Sequence, residues 1–233
     1  AIGIGAVAGD YSGGNGGTIS MGWDISNTGH RSIAIGSDVT NRILASADDQ
    51  ISIGMLLDNN SEFGILIGNG SNNLATAGGI VIGQTAVVNA NDSICIGKNV
   101  NDSDAARVKA ISIGNDLSTA QRTVNIGVSQ NAFGADGVCI GSSNSFGGNY
   151  NVAVGYNNAV GSGGEGQVVI GKGSSATGNG SVAIGDSVTA SKAQTVAVVE
   201  LETKLIGGGI TMISPDGTEY KLTVANGGTL VIT

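Results

Sequence analysis

Residues Ser181-Val182-Ala183-Ile184-Gly185-Asp186-Ser187-Val188-Thr189-Ala190 decide how this chain is read. Their kernel is an apolar residue, any residue, an apolar residue, then glycine. Working outward, the kernel recurs at residues 2–5, 19–22, 33–36, 51–54, 65–68, 80–83, 94–97, 111–114, 124–127, 138–141, 152–155 and 168–171, and residues 196–199 carry a last copy with Val199 in the glycine's place. The commonest step is 14 residues, with occasional insertions. A recurring short unit is the signature of a solenoid, in which each copy buries its apolar side only by stacking on the next. Alternation of β-branched residues predicts strand rather than helix, and the glycine marks a turn that a side chain would obstruct. A coil of this length holds two short strands and two turns. Stacked in register at ~4.8 Å per coil, such coils satisfy each other's backbone groups.

The kernel predicts two faces. Ile33 and Ile35, with their equivalents, are expected to point into the coil's own core. The residue between them is mostly small: Ala34, Ser52, Cys95, Ser112, Cys139, Ala153 and Ala183 are expected to face outward and pack against a partner. A thin two-sided coil buries little by itself, so the expected partner is another copy of the chain, with these seven residues at the interface.

Composition agrees with a thin, regular core. The 233 residues include 41 Gly, 1 Pro, 3% aromatic and 12% charged residues, yet 40% are hydrophobic. Large side chains are too few for a thick globular interior, and the apolar fraction is too high for disorder. A net charge of −8 and a pI near 4.4 argue against nucleic acid or anionic lipid as partner. No stretch reaches the ~20 apolar residues of a membrane helix. The chain starts at Ala1 inside the repeat pattern, which suggests a processed chain or part of a longer one.

The stretch Gly171-Lys172-Gly173-Ser174-Ser175-Ala176-Thr177-Gly178-Asn179-Gly180, continuing into residues 181–190, resembles the head repeats of trimeric autotransporter adhesins, the YadA-like head. That signature is a Ser-Val-Ala-Ile-Gly strand followed by a Ser-x-Ala-Thr-Gly segment. The match is close over two coils and looser over residues 1–199, where Val39, Leu57, Val100 and Leu117 replace the serine of the second strand. The resemblance implies a left-handed parallel β-roll wound as a homotrimer, covering residues 1–199.

Residues 200–233 depart from the repeat. Residues 210–213, 218–224 and 229–233 read as three strands, separated by Ser214-Pro215-Asp216-Gly217 and by Asn226-Gly227-Gly228, and predict a small antiparallel β cap. Thr218, Tyr220, Leu222 and Val224 share one face, and Glu219, Lys221 and Thr223 the other. The segment from Ile213 to Leu230 resembles the short Ser-Pro-Asp/Asn-Gly-Thr module that closes many bacteriophage tail-fibre and other virion proteins. That resemblance favours a virion fibre over a bacterial adhesin.

Motifs of soluble enzymes are weak here. Gly161-Ser162-Gly163-Gly164-Glu165-Gly166 spells G-x-G-x-x-G but sits in a glycine-rich turn with no following helix. Residues 166–172 approach a phosphate-binding loop, but Gly173 stands where a Ser or Thr would hold Mg²⁺. His30 is the only histidine, which excludes a His-based triad or a multi-His site within one chain. Cys95 and Cys139 lie three coils apart, about 14 Å by stacking, too far for an intrachain disulfide; as interface residues they are expected to cross-link between chains on mild oxidation. Carboxylate pairs such as Asp48-Asp49 could in principle hydrolyse a polysaccharide, but few aromatic rings are present to grip sugar.

Coils longer than the period carry extra residues within 40–50, 101–109 and 156–165. Asp48, Asp49, Asp102, Asp104, Arg107 and Tyr156 are therefore the candidate receptor contacts. The expectation is a non-enzymatic trimeric fibre, a phage tail fibre or tip or another virion appendage for host attachment. Its partners would be two further copies, other virion proteins and a host-surface polysaccharide or outer-membrane protein, with no cofactor, metal, nucleic acid or membrane insertion. The alternatives are the head of a bacterial cell-surface trimeric adhesin and a polysaccharide-degrading spike.

Overall fold

The computed structural model describes residues 2–5, 7–8, 17–27, 31–41, 49–74, 77–89, 91–102, 109–161, 163–199, 210–224 and 230–232. The chain divides into two compact units, Ala1–Ala197 and Val198–Thr233. The described residues are all-β, with no helix.

The first unit is a parallel β-solenoid. Val138–Ser142 pairs in register with Val152–Tyr156, which pairs with Val168–Lys172, which pairs with Val182–Asp186. A second row of short strands runs beside it: Ser145–Phe146, Ala159–Val160, Ser175–Ala176 and Thr189–Ala190, each stacked on the next. Toward the amino end the two strands of a coil merge, as in Ile33–Asn41 and Ile94–Asp102, still bent at a left-handed residue, Asp38 (φ 51) or Asn99 (φ 50). The first coil sits two residues away from the register read in the sequence. Gly3 stacks on Gly22 and Gly5 on Asp24, with Ile2 bridging Met21.

The kernel faces the opposite way from the expectation. Ala34, Ser52, Cys95, Ser112, Cys139, Ala153 and Ala183 are each 0% exposed in the single chain, whereas Ile33 and Ile35 are only half-buried. Hydrogen bonds across the coil confirm the direction: Ser112 Oγ donates to Thr119 Oγ1 (2.6 Å), Asn59 Nδ2 donates to Ser52 Oγ (3.1 Å), and the Cys139 thiol donates to Gln130 Oε1 (3.0 Å). The middle residue is small because the inside of the coil must also take the second strand's side chains, such as Val39, Leu57 and Phe146. These seven residues are core residues, not an interface. Inward thiols likewise overturn the expectation that Cys95 and Cys139 cross-link between chains; burial pushes the Cys139 thiol up to about 12.

Three local devices shape the coils, the first two along the stack and the third in the coils that carry Asn144 and Asn158. The kernel glycine adopts φ between about +120° and +150°, and a Cβ built on Gly36 would lie 1.7 Å from the carbonyl oxygen of Gly54 on the next coil. The same clash repeats up the column, so glycine is required wherever another coil follows. Two corners per coil are made by residues in the left-handed region, seven apart: Asp136, Ser143, Tyr150 and Asn157 follow one another with φ of 53–60°. Asp, Asn, Ser and Gly dominate these corners because they tolerate that conformation best. Finally, Asn144 and Asn158 point inward. Asn144 Nδ2 donates to the carbonyls of Ile140 (3.0 Å) and Gly155 (3.0 Å), while its Oδ1 accepts the Asn158 N–H (3.0 Å); Asn158 repeats the pattern toward Ser174. The ladder satisfies carbonyls freed at the bend, as buried polar groups require.

All departures from the common period fall at one corner. Both strands of the coil beginning at Ile33 pair with the next at the same offset, Ile33 with Ile51 and Asn41 with Asn59, so its extra residues leave between Asn41 and Asp49. The same comparison places the other insertions after Ala8 and within residues 74–76, 103–108 and 161–163, and a contraction at residues 120–121. In each case the change follows the end of the second strand, and from Asn41 onward it precedes the next left-handed residue.

The second unit contains an antiparallel three-stranded sheet. Ile210–Ile213 pairs with Glu219–Val224, which pairs with Leu230–Ile232. The connection Ser214-Pro215-Asp216-Gly217 is closed by Gly217 N–H donating to the Ser214 carbonyl (2.9 Å). Proline pre-sets its φ at the second position and Gly217 takes φ +86°.

Candidate functional site

With the middle residues turned inward, the outer Ile/Val pair of every kernel forms a continuous apolar surface along the solenoid. It runs as two parallel columns, Ile19 to Val182 and Met21 to Ile184, one step per coil. Ile53, Ile82, Ile113, Ile140 and Ile170 are 37–41% exposed, half-covered by the residues above and below them. What remains open is the side facing away from the solenoid axis. β-branched side chains on a parallel sheet present few rotamers, so covering this face costs little side-chain entropy. The next outward residue along each strand varies, with Trp23, Met55, Val128 and Tyr156 exposed among Ser37, Lys98 and Lys172. The face is therefore apolar at its centre and mixed at one margin, as the core and rim of a protein interface are.

The left-handed corners carry two of the solenoid's ion pairs. Arg31 and Asp49 occupy the same corner of consecutive coils and form a bidentate pair (2.6 and 2.8 Å), as do Arg122 and Asp136 (2.6 and 2.6 Å). The guanidinium hydrogen bonds hold both carboxyls below the usual range and raise Arg122. At the other corner, Thr85 Oγ1 donates to Asn99 Oδ1 (2.9 Å) and Asn99 Nδ2 donates to Asp116 Oδ1 (2.8 Å). Among the described residues no group of three or more His, Cys, Asp or Glu could hold a metal ion.

The candidate receptor contacts separate. Asp48, Asp104 and Arg107 lie outside the described residues, and Asp102 is placed by its backbone alone, ending the strand from which residues 103–108 depart. Asp49 is tied to Arg31 at a coil corner. Tyr156 belongs to no insertion: it stands in register with Ser142 and Lys172 on the margin of the apolar face, and the extra residues of its coil are 161–163. His30 also lies outside the described residues.

Two surfaces thus carry the functional possibilities of the solenoid: the Ile/Val face and the insertion corner. Sequence reasoning names the right strand positions for the first but assigns them to the interior. The available signal is volume, since an inward slot shared with a second strand favours Ala, Ser and Cys over Ile. No protein-family model matches the chain, and no curated protein matches it.

Proposed function

We propose that this chain is the non-enzymatic shaft of a homotrimeric fibre, a phage tail fibre or tip or a similar virion appendage, which carries a contact surface to the host cell. The observation that carries this reading is the unbroken outer Ile/Val face. An apolar strip that recurs on each coil is a self-complementary ladder, and three identical rods placed side by side cover each other's strips. The choice of three rests on the resemblance of residues 171–190 to trimeric adhesin heads. The virion setting rests on the Ser-Pro-Asp-Gly-Thr module at residues 214–218. Host contact is supported by the insertions: loops that vary at one corner of a rigid stack are where solenoids place their binding residues.

Sedimentation equilibrium of the purified chain tests the assembly. A trimer is expected, and Ile140→Asp, which puts a charge on the outer face, is expected to yield monomers with unchanged circular dichroism. A wild-type chain that stays monomeric at tens of micromolar overturns the proposal. Host specificity is tested by trimming residues 103–108 to repeat length and measuring attachment to host cells, which should fall. The repeat itself also suits the head of a bacterial trimeric adhesin. A coiled-coil stalk and a membrane-anchor barrel elsewhere in the same gene would favour that reading.

A further inference from the structure

The carboxyl-terminal sheet presents one apolar face. Ile210 lies opposite Leu222, Met212 opposite Tyr220, and Leu222 opposite Ile232, so these five residues share one side of three strands. Ile210, Met212 and Tyr220 are 41–45% exposed and Ile232 is 64% exposed. The other side carries Thr211, Glu219, Lys221 and Thr223, with Ile213 and Val231. Of the sheet's strand residues whose side chains are described, none is fully buried.

A unit this short has three usual routes to stability: disulfides, a metal, or association. Residues 198–233 contain no cysteine and no histidine, and their described residues offer no metal cluster. The route left is cover of that face by another surface. Three-stranded sheets with an apolar face become stable when that face is covered. Resting on the trimeric reading above, we infer that copies of this same sheet cover one another, Met212 and Tyr220 of each meeting those of its neighbours, so that the cap is a second, independent self-association site. Chains already joined along their shafts hold their caps at high effective concentration, which favours a like partner over a foreign one.

Single cysteines test this on the full chain. Both native thiols are buried inside coils and give no background. Met212→Cys is expected to form interchain disulfides on mild oxidation, moving up to about two-thirds of a trimer's chains into a dimer band, because one bond joins two chains of three. Thr211→Cys, one residue away on the opposite side, is expected to stay monomeric on the gel and to react freely with a water-soluble maleimide. Equal cross-linking of the two variants overturns the inference. So does a Met212→Cys thiol protected from maleimide yet never cross-linked, which would mean that other residues of its own chain cover the face. So does a Met212→Cys thiol that reacts as fast as the Thr211→Cys thiol. If the chain sediments as a trimer in any of these cases, the shaft reading stands and only the cap inference falls; a monomer fails both.

Discussion

The solenoid and the cap solve the same problem with opposite resources. In the solenoid every coil lends its neighbours a floor and a ceiling, so even alanines such as Ala153 and Ala183 are sealed within one chain. Among the described residues the cap's three-stranded sheet has no such stack, and Met212, Tyr220 and Ile232 are exposed. Repetition along an axis substitutes for bulk, and a chain with 3% aromatic residues depends on that substitution. Where repetition stops, apolar surface is left over.

The sharpest way to break this contrast is at glycine. Gly97→Ala places a Cβ 1.7 Å from the Gly114 carbonyl oxygen, backbone against backbone with nothing to yield, and should cost well over ~4 kcal/mol, read as loss of the cooperative melt or of soluble protein. Gly217→Ala in the cap also requires a positive φ, +86°, but meets nothing within 4 Å, and should cost only about 1–2 kcal/mol. Equal effects would mean that conformational preference, not stacking, governs the glycine column.

Adjacent residues sharpen the inside–outside assignment. Cys139→Asp buries an unpaired charge and should destabilise the fold by roughly 3–5 kcal/mol in thermal denaturation, whereas its neighbour Ile140→Asp should spare the fold and act on assembly. The smallest effect belongs to the cap turn. Hydrogen bonds from the Ser214 hydroxyl and the Thr218 N–H (3.1 Å) hold Asp216 down at about 2, below its ordinary 3.8. A lowered folded-state value means that the stabilisation is present above about pH 4 and fades as pH falls toward 2. The Thr218 amide resonance should shift across that window, and Asp216→Asn should abolish the shift while the solenoid resonances stay in place.

Much of the architecture is legible in the residues themselves. Strand, turn and period follow from Ile-x-Ile-Gly because alternation and glycine each have one inexpensive structural use. The cap strands follow from Ser214-Pro215-Asp216-Gly217 and the alternation after it. Orientation does not follow, because Ile33-Ala34-Ile35 is apolar on both sides and pattern alone cannot say which side is in. What decides it is the opposing strand, whose Val39 fills the coil and leaves room only for Ala34. The left-handed corners are also hard to read, since Arg122, Tyr150 and Leu56 occupy them as well as Asp and Asn. Tyr156 reads as part of a loop because counting along the chain cannot locate an insertion within a coil. Strand register can.

That single insertion corner has a consequence for measurement along the rod. The coil with the most compact turn, at residues 120–121, and the coil enlarged between Asn41 and Asp49 each raise the axis by the same ~4.8 Å, because both keep their strands in register. Length is therefore counted in coils and is indifferent to residues. A lineage of such chains could lengthen its reach only in whole steps, while remodelling its flank one amino acid at a time.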